Sequence, residues 1–128
     1  MIERLTPKGV APPRGPYSPA VRCGDFIYVS GQVPVDPQTN KPVIGDVREE
    51  TRQVLNNIRG VLDGCGATLA DVVKCQVFLT DVKEFAAMNE VYAEFFGEAK
   101  PARTTVAISA LPLPGAKVEI DAVAYKPK

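Results

Sequence analysis

With 128 residues, the chain is long enough for one domain with one hydrophobic core, expected to span residues 1–128. Hydrophobic residues make up 45% and charged residues 23%, the composition of an ordinary globular protein. Fifteen Lys and Arg balance fifteen Asp and Glu, and there is no histidine. This argues against nucleic-acid and anionic-membrane partners, and removes the commonest general base and metal ligand.

The elements follow in chain order. The first third is proline-rich (Pro7, Pro12, Pro13, Pro16, Pro19) and reads as an irregular, extended segment bracketed by strand-like runs. Phe26 to Gly31 reads as a strand, and Pro34 to Pro42 as a surface loop. Asp46 with Glu49 forms a capping-box pattern. Thr51, Val54, Leu55, Ile58, Val61, Leu62 and Cys65 then follow helical spacing, ended by Gly64 and Gly66. Thr68 with Asp71 resembles a second, short box. From Val72 to Leu79 residues alternate, with Val73, Cys75, Val77 and Leu79 on one face and Lys74, Gln76 and Phe78 on the other. Asp81 and Glu84 cap a second helix whose core stripe is Phe85, Met88, Tyr92 and Phe95, ended by Gly97. Arg103 to Ser109 and Lys117 to Tyr125 are the last strands, with Pro112 and Pro114 in their connection.

Strands separated by helices imply parallel crossovers. The fold class expected is α+β: a two-layer sandwich with a mixed six-stranded sheet and both helices on one face. Parity assigns Thr104, Val106 and Ile108, with Val118, Ile120, Ala122 and Ala124, to the helix-covered side. Arg103, Thr105, Glu119, Asp121, Val123 and Tyr125 fall on the open side. That side is half apolar, and burial against another subunit is the natural remedy.

Cys23, Cys65 and Cys75 are odd in number and lack C-x-x-C spacing. No disulfide framework or metal site is expected, and reduced, buried thiols are. The opening Met1-Ile2-Glu3-Arg4-Leu5 has no apolar signal region, and no apolar run reaches transmembrane length. A cytoplasmic protein without membrane association is expected.

Two charges stand inside the last strands, where lone charges are uncommon. Arg103 offers a planar fork of donors that fits a carboxylate. Glu119 can accept a proton or polarise water. Spacing alone leaves Arg103 equally open to an interface salt bridge, and leaves Glu119 open to an interface carboxylate. Direct pairing between the two is not assumed, since the proline-containing connection does not force a hairpin.

Gly15-Pro16-Tyr17-Ser18-Pro19-Ala20, Val29-Ser30-Gly31-Gln32, Val77-Phe78-Leu79-Thr80-Asp81, Pro101-Ala102-Arg103-Thr104-Thr105-Val106 and Val118-Glu119-Ile120 occur in an order and spacing that resembles the Rid (YjgF) family of reactive intermediate deaminases. The resemblance implies a chorismate mutase-like sandwich forming homotrimers, with sites in the clefts between subunits. It implies hydrolysis of 2-imino and enamine acids, such as 2-iminopropanoate and 2-iminobutanoate, to 2-keto acids and ammonia, with no metal or organic cofactor. Arg103 would grip the substrate carboxylate and Glu119 would hold the attacking water. Tyr17, Ser30, Gly31, Asn89 and Thr105 would line the site. Asn89 is open to a solvated helix face as well. Thr105 stands where many members carry cysteine, which removes a thiol-dependent role and leaves a backbone contact. Two other readings stand beside this one. An endoribonuclease or translation inhibitor is opposed by the balanced charge and the absence of histidine. A non-catalytic ligand-binding or chaperone-like protein is opposed by the conjunction of Arg103 and Glu119.

Overall fold

The computed structural model describes all residues, Met1–Lys128. Ten regular elements follow in order: β1 (Ile2–Leu5), β2 (Ala20–Cys23), β3 (Phe26–Gln32), β4 (Val35–Asp36), β5 (Lys41–Pro42), α1 (Val47–Gly64), β6 (Val72–Leu79), α2 (Phe85–Phe96), β7 (Ala102–Ala107) and β8 (Val118–Tyr125). A six-stranded sheet has the order β1-β2-β3-β8-β6-β7. Only β6 and β7 pair in parallel, because α2 carries the chain back between them as a crossover. This is the expected α+β architecture. The segment read as a plain loop, Pro34 to Pro42, instead contains the short β4–β5 ribbon. Val35 anchors it, buried with Leu113 and Ala116 in a small second core.

Helix α1 forms because apolar side chains recur at helical spacing and its ends are capped. Asp46 accepts a bond from the Glu49 N–H at 3.1 Å, a contact worth about 1 kcal/mol. Gly66, at φ +81°, supplies the left-handed turn that ends the helix. Val54, Leu55, Ile58, Val61 and Leu62 are wholly buried on the sheet side. Truncating Leu55, Ile58 or Leu62 to alanine removes about 2–5 kcal/mol. Exposed Arg48–Glu90 and Arg52–Glu94 pairs join α1 to α2 at 2.8 and 2.7 Å; such pairs are worth at most about 1 kcal/mol each.

The second helix begins later than expected. Asp81 caps a short 3-10 turn over Val82–Glu84, and α2 starts at Phe85. Met88, Tyr92 and Phe96 enter the core, whereas Phe85 is 41% exposed and lies outside it. In β6, an irregularity between Val72 and Lys74 turns Val73 outward. Val72, Cys75, Val77 and Leu79 form the buried face. Cys23 is exposed and Cys65 half-buried, so only Cys75 is the buried thiol expected of all three.

Strand β8 inserts between β3 and β6, and its start is fixed on both sides. The Lys117 N–H donates to wholly buried Glu50 at 2.7 Å, and its carbonyl accepts from Thr80 at 3.1 Å. The Lys117 ammonium also reaches Glu50 at 3.2 Å. Glu119 follows two residues later on a strand whose register is thereby set.

Register overturns one expectation of parity. Arg103 aligns with Cys75, Thr105 with Val77 and Ala107 with Leu79. These β6 partners point toward the helices, so Arg103 and Thr105 do too. Thr104 and Val106, expected among the helices, lie on the open face beside Gln76 and Phe78. The 3.1 Å bond from the Lys74 ammonium to the Thr104 hydroxyl joins two open-face groups. Glu119 aligns with Phe78 and Asp121 with Gln76, and both stand on the open face as expected.

Candidate functional site

The first half of the site forms where β3 meets β8. Their register breaks between Val29 and Gln32, at the Ser30-Gly31 pair. Such a bulge re-aims the backbone next to a site. A Cβ on Gly31 would stand 2.9 Å from the Glu119 carboxyl carbon and run into Oε2. Glycine is therefore what lets Glu119 lie against the β3 backbone. The Ser30 hydroxyl donates to the Ser18 carbonyl at 2.6 Å, and the Ser30 N–H donates to Pro19 at 3.0 Å. Ser30 thus tethers the loop that carries Tyr17. The Tyr17 hydroxyl accepts from the Arg14 N–H at 3.1 Å, and its ring is 49% exposed.

Together Arg14, Tyr17, Ser30, Gly31, Leu113 and Glu119 line an open cavity of about 400 Å³. Glu119 is half-buried, and burial, reinforced by the neighbouring Asp121 carboxylate, pushes its pKa up. Asp121 is raised as well, by burial, although it accepts the Gln76 N–H at 2.9 Å. A carboxyl raised in this way is a better proton acceptor near neutral pH.

The second half lies on the other side of the sheet, between β7 and α2. Arg103 stacks over Tyr92, its guanidinium carbon 4.7 Å from the ring centroid, and stands 5.6 Å from the Phe85 ring. None of the protomer's ion pairs engages Arg103. Asn89, Tyr92, Phe96, Lys100 and Arg103 line a second, shallower cavity. The buried Asn89 Oδ1 and Thr105 Oγ1 have no hydrogen-bond partner. Unpaired buried polar atoms are uncommon and call for an explanation. Cys75, beneath this half, has its thiol pushed up to about 11 by burial. It is held neutral and suited to packing rather than nucleophilic attack.

The seven residues expected at the site therefore fall into two groups. Tyr17, Ser30, Gly31 and Glu119 line one cavity; Asn89 and Arg103 line the other, with Thr105 on the same sheet side. Arg103 and Glu119 do not meet within one chain. Arg14, the one cation lining the Glu119 cavity, and Lys100, which lines the other beside Arg103, are cavity residues that the sequence reading missed. Nothing in their local sequence distinguishes them from surface charges. No three His, Cys, Asp or Glu side chains converge as a metal site, and no helix is long and apolar enough to cross a membrane.

The relatives agree with this fold. Residues 8–126 match the family model described as Endoribonuclease L-PSP. A RutC family protein from Pyrococcus horikoshii is 48% identical over 126 residues, covering 98% of this chain and 99% of its own. A protein from Dermatophagoides farinae named 2-iminobutanoate/2-iminopropanoate deaminase is 40% identical over 122 residues, covering 94% of both. A crystal structure of E. coli TdcF with bound serine superposes with a TM-score of 0.89 at 35% identity, covering 97% of this chain and 98% of that one. The chain belongs to the YjgF/Rid family.

Proposed function

We propose that this protein hydrolyses reactive 2-imino acids, such as 2-iminopropanoate and 2-iminobutanoate, to 2-keto acids and ammonia, at sites completed between the subunits of a homotrimer. The observation that carries the reading is the state of Arg103: a half-buried guanidinium held on Tyr92 without any protein carboxylate, beside unpartnered polar atoms of Asn89 and Thr105. An arginine so held is organised for an anion it has not yet met. The deaminase name of the mite relative and the serine bound by the E. coli relative supply the substrate class, a small amino-acid-derived carboxylate.

The open sheet face exposes Phe26, Tyr28, Val106 and Tyr125, each 40–48% accessible. In the proposed trimer a second chain covers this face, with the Glu119 half of one protomer set against the Arg103 half of its neighbour. In that cleft Arg103 fixes the substrate carboxylate. Gly31 leaves room at the backbone, Tyr17 covers the ligand, and Asn89 and Thr105 offer polar contacts. Glu119 takes a proton from water as the oxygen attacks the imine carbon and the C=N electron pair moves to nitrogen. The resulting carbinolamine receives that proton on nitrogen. Glu119 then takes the hydroxyl proton and delivers it to the amino nitrogen, so that collapse to the carbonyl expels ammonia. Oxygen comes from water and no electrons are exchanged, so positioning and one proton shuttle suffice.

The family model's description keeps an endoribonuclease in view. Zero net charge and the absence of histidine oppose it, because phosphate contacts need a basic face. Ammonia release from 2-iminopropanoate generated freshly by an amino-acid oxidase tests the proposal. Acceleration by the wild-type protein and its loss in Arg103→Ala are expected. Full activity of Arg103→Ala with an unchanged assembly overturns the mechanism.

A further inference from the structure

Arg14 lines the same cavity as Glu119 and Tyr17, yet neither hydrolysis of a small imine nor the fold requires its charge. Its main-chain N–H supports Tyr17, but its guanidinium is engaged only by two long contacts, 3.4 Å to the Asn40 carbonyl and 3.5 Å to the Asn40 side-chain oxygen. Both sit at the outer limit of hydrogen bonding. It forms no ion pair. It does not neutralise Glu119 either, whose environment is set by burial and by Asp121. The cavity thus carries an uncommitted guanidinium set apart from the carboxylate that would hold water.

The space between them has a definite chemistry. Val33, Pro112 and Leu113 form apolar wall, suited to methylene groups. At about 400 Å³ in the single chain, the cavity is within the ~300–1,000 Å³ range of small-molecule sites, with room for an occupant longer than a three-carbon imine. An occupant that reaches Arg14 has a reactive centre at Glu119, a short apolar run, and a terminal anion.

We propose that Arg14 is a specificity-determining residue that selects 2-imino acids bearing a second, side-chain carboxylate, with 2-iminoglutarate as the representative. This rests on the deaminase reading above and deepens it. The α-carboxylate goes to Arg103 of the partner subunit, the methylenes lie along Val33 and Leu113, and the distal carboxylate takes the fork of Arg14 in place of Asn40. Hydrolysis then gives 2-oxoglutarate and ammonia, with water as the only co-reactant. An enzyme that passes two electrons from an acidic amino acid to an acceptor, or that eliminates a β-substituent from a substituted one, is the class of reaction that supplies such a substrate.

The test compares 2-iminoglutarate, generated in place by an L-glutamate oxidase, with 2-iminopropanoate. It measures kcat/KM for wild type, Arg14→Ala and Arg14→Glu, and calorimetric binding of 2-oxoglutarate and pyruvate by all three. Wild type is expected to favour the dicarboxylic imine. Arg14→Ala should lower that preference about tenfold, the effect of losing one favourable charge contact, and Arg14→Glu should lower it further. Binding of 2-oxoglutarate relative to pyruvate should fall in parallel. A preference unchanged in both variants, or a wild type that favours 2-iminopropanoate, overturns the role of Arg14 while leaving the deaminase reading intact. If neither imine is hydrolysed, the deaminase reading fails, and calorimetry decides separately: Arg14-dependent selection of 2-oxoglutarate upholds the specificity site, and its absence overturns that as well.

Discussion

Arg103 and Glu119 stand on opposite faces of the sheet, one strand apart. Both neighbour β6, where Arg103 aligns with Cys75 and Glu119 with Phe78. Cys75 and Phe78 are three residues apart and so point to opposite faces. The two side chains leave the sheet on opposite faces and line separate cavities, so a site that uses both takes them from different protomers.

Mixing two inactive variants tests that arrangement. Arg103→Ala and Glu119→Gln homotrimers should each be inactive with 2-iminopropanoate. Co-refolding them in equal amounts should restore about a quarter of wild-type activity, because random assembly pairs an intact arginine with an intact glutamate at that frequency in a cyclic oligomer. No recovery from mixed trimers verified by mass would place both residues in one subunit's site or remove one of them from the chemistry.

Charge alone should not replace Arg103. Arg103→Lys keeps the cation but loses the planar fork and the stacking on Tyr92. Losing a desolvated charge contact costs about 2–5 kcal/mol, roughly a thirtyfold to several-thousandfold fall in kcat/KM. Wild-type kinetics in Arg103→Lys would show that a diffuse positive field is enough.

Gly31→Ala isolates the placing of Glu119. The nearest atoms the added methyl meets are those of the Glu119 side chain, and Gly31 is not in the left-handed region. Thermal stability should change little as the carboxylate swings away. A displacement of this size typically lowers turnover about 100-fold, with binding of a stable keto acid less affected. An active Gly31→Ala enzyme would mean that the position of the carboxylate does not matter.

If Glu119 is the base, burial, which pushes its carboxyl up in the single chain, should set the acid limb of activity. As a base it must be ionised, so kcat/KM should fall with acidification at a pH above the ordinary carboxylate value of 4.5. Burial is the larger cause and Asp121 the second. Asp121→Asn keeps an oxygen for the Gln76 N–H and removes the charge, so the limb should move to lower pH. The same shift has a stability sign. A carboxyl whose folded pKa is raised contributes stability fully present below its unfolded pKa and lost as pH rises through the folded one. Glu119→Gln should therefore gain stability relative to wild type above that window and not below it. An unmoved limb in Asp121→Asn would detach the pH profile from Glu119.

Much was legible in the chain itself. The α1 stripe from Val54 to Leu62, the Asp46 cap and the Gly66 stop are local signals, and the helix they specify lies where they put it. Alternation in β8 separates Val118, Ile120, Ala122 and Ala124 from Glu119 and Asp121 because its two faces differ sharply in polarity. Helix-side residues there are at most 2% exposed. The family resemblance groups Tyr17, Ser30, Gly31 and Glu119, and the fold gathers those four in one cavity.

Tertiary structure alone decided the face of β7. Its two parities, Arg103-Thr105-Ala107 and Thr104-Val106-Ile108, are both mixtures of polar and apolar groups, and β7 is an edge strand that neither layer covers fully. Hydropathy put Val106 and Ile108 under the helices. The parallel register with β6 put Arg103 there instead, over the ring of Tyr92. Strand pairing is a contact between residues distant in sequence, and no local pattern encodes it. The insertion of β8 between β3 and β6 has the same origin, and so does the cavity that joins Arg14 to Glu119 across 105 positions. The sequence determined which elements form and which side chains carry chemistry. The long-range register of those elements determined which of these side chains share a face, and so which of them need a second subunit to meet.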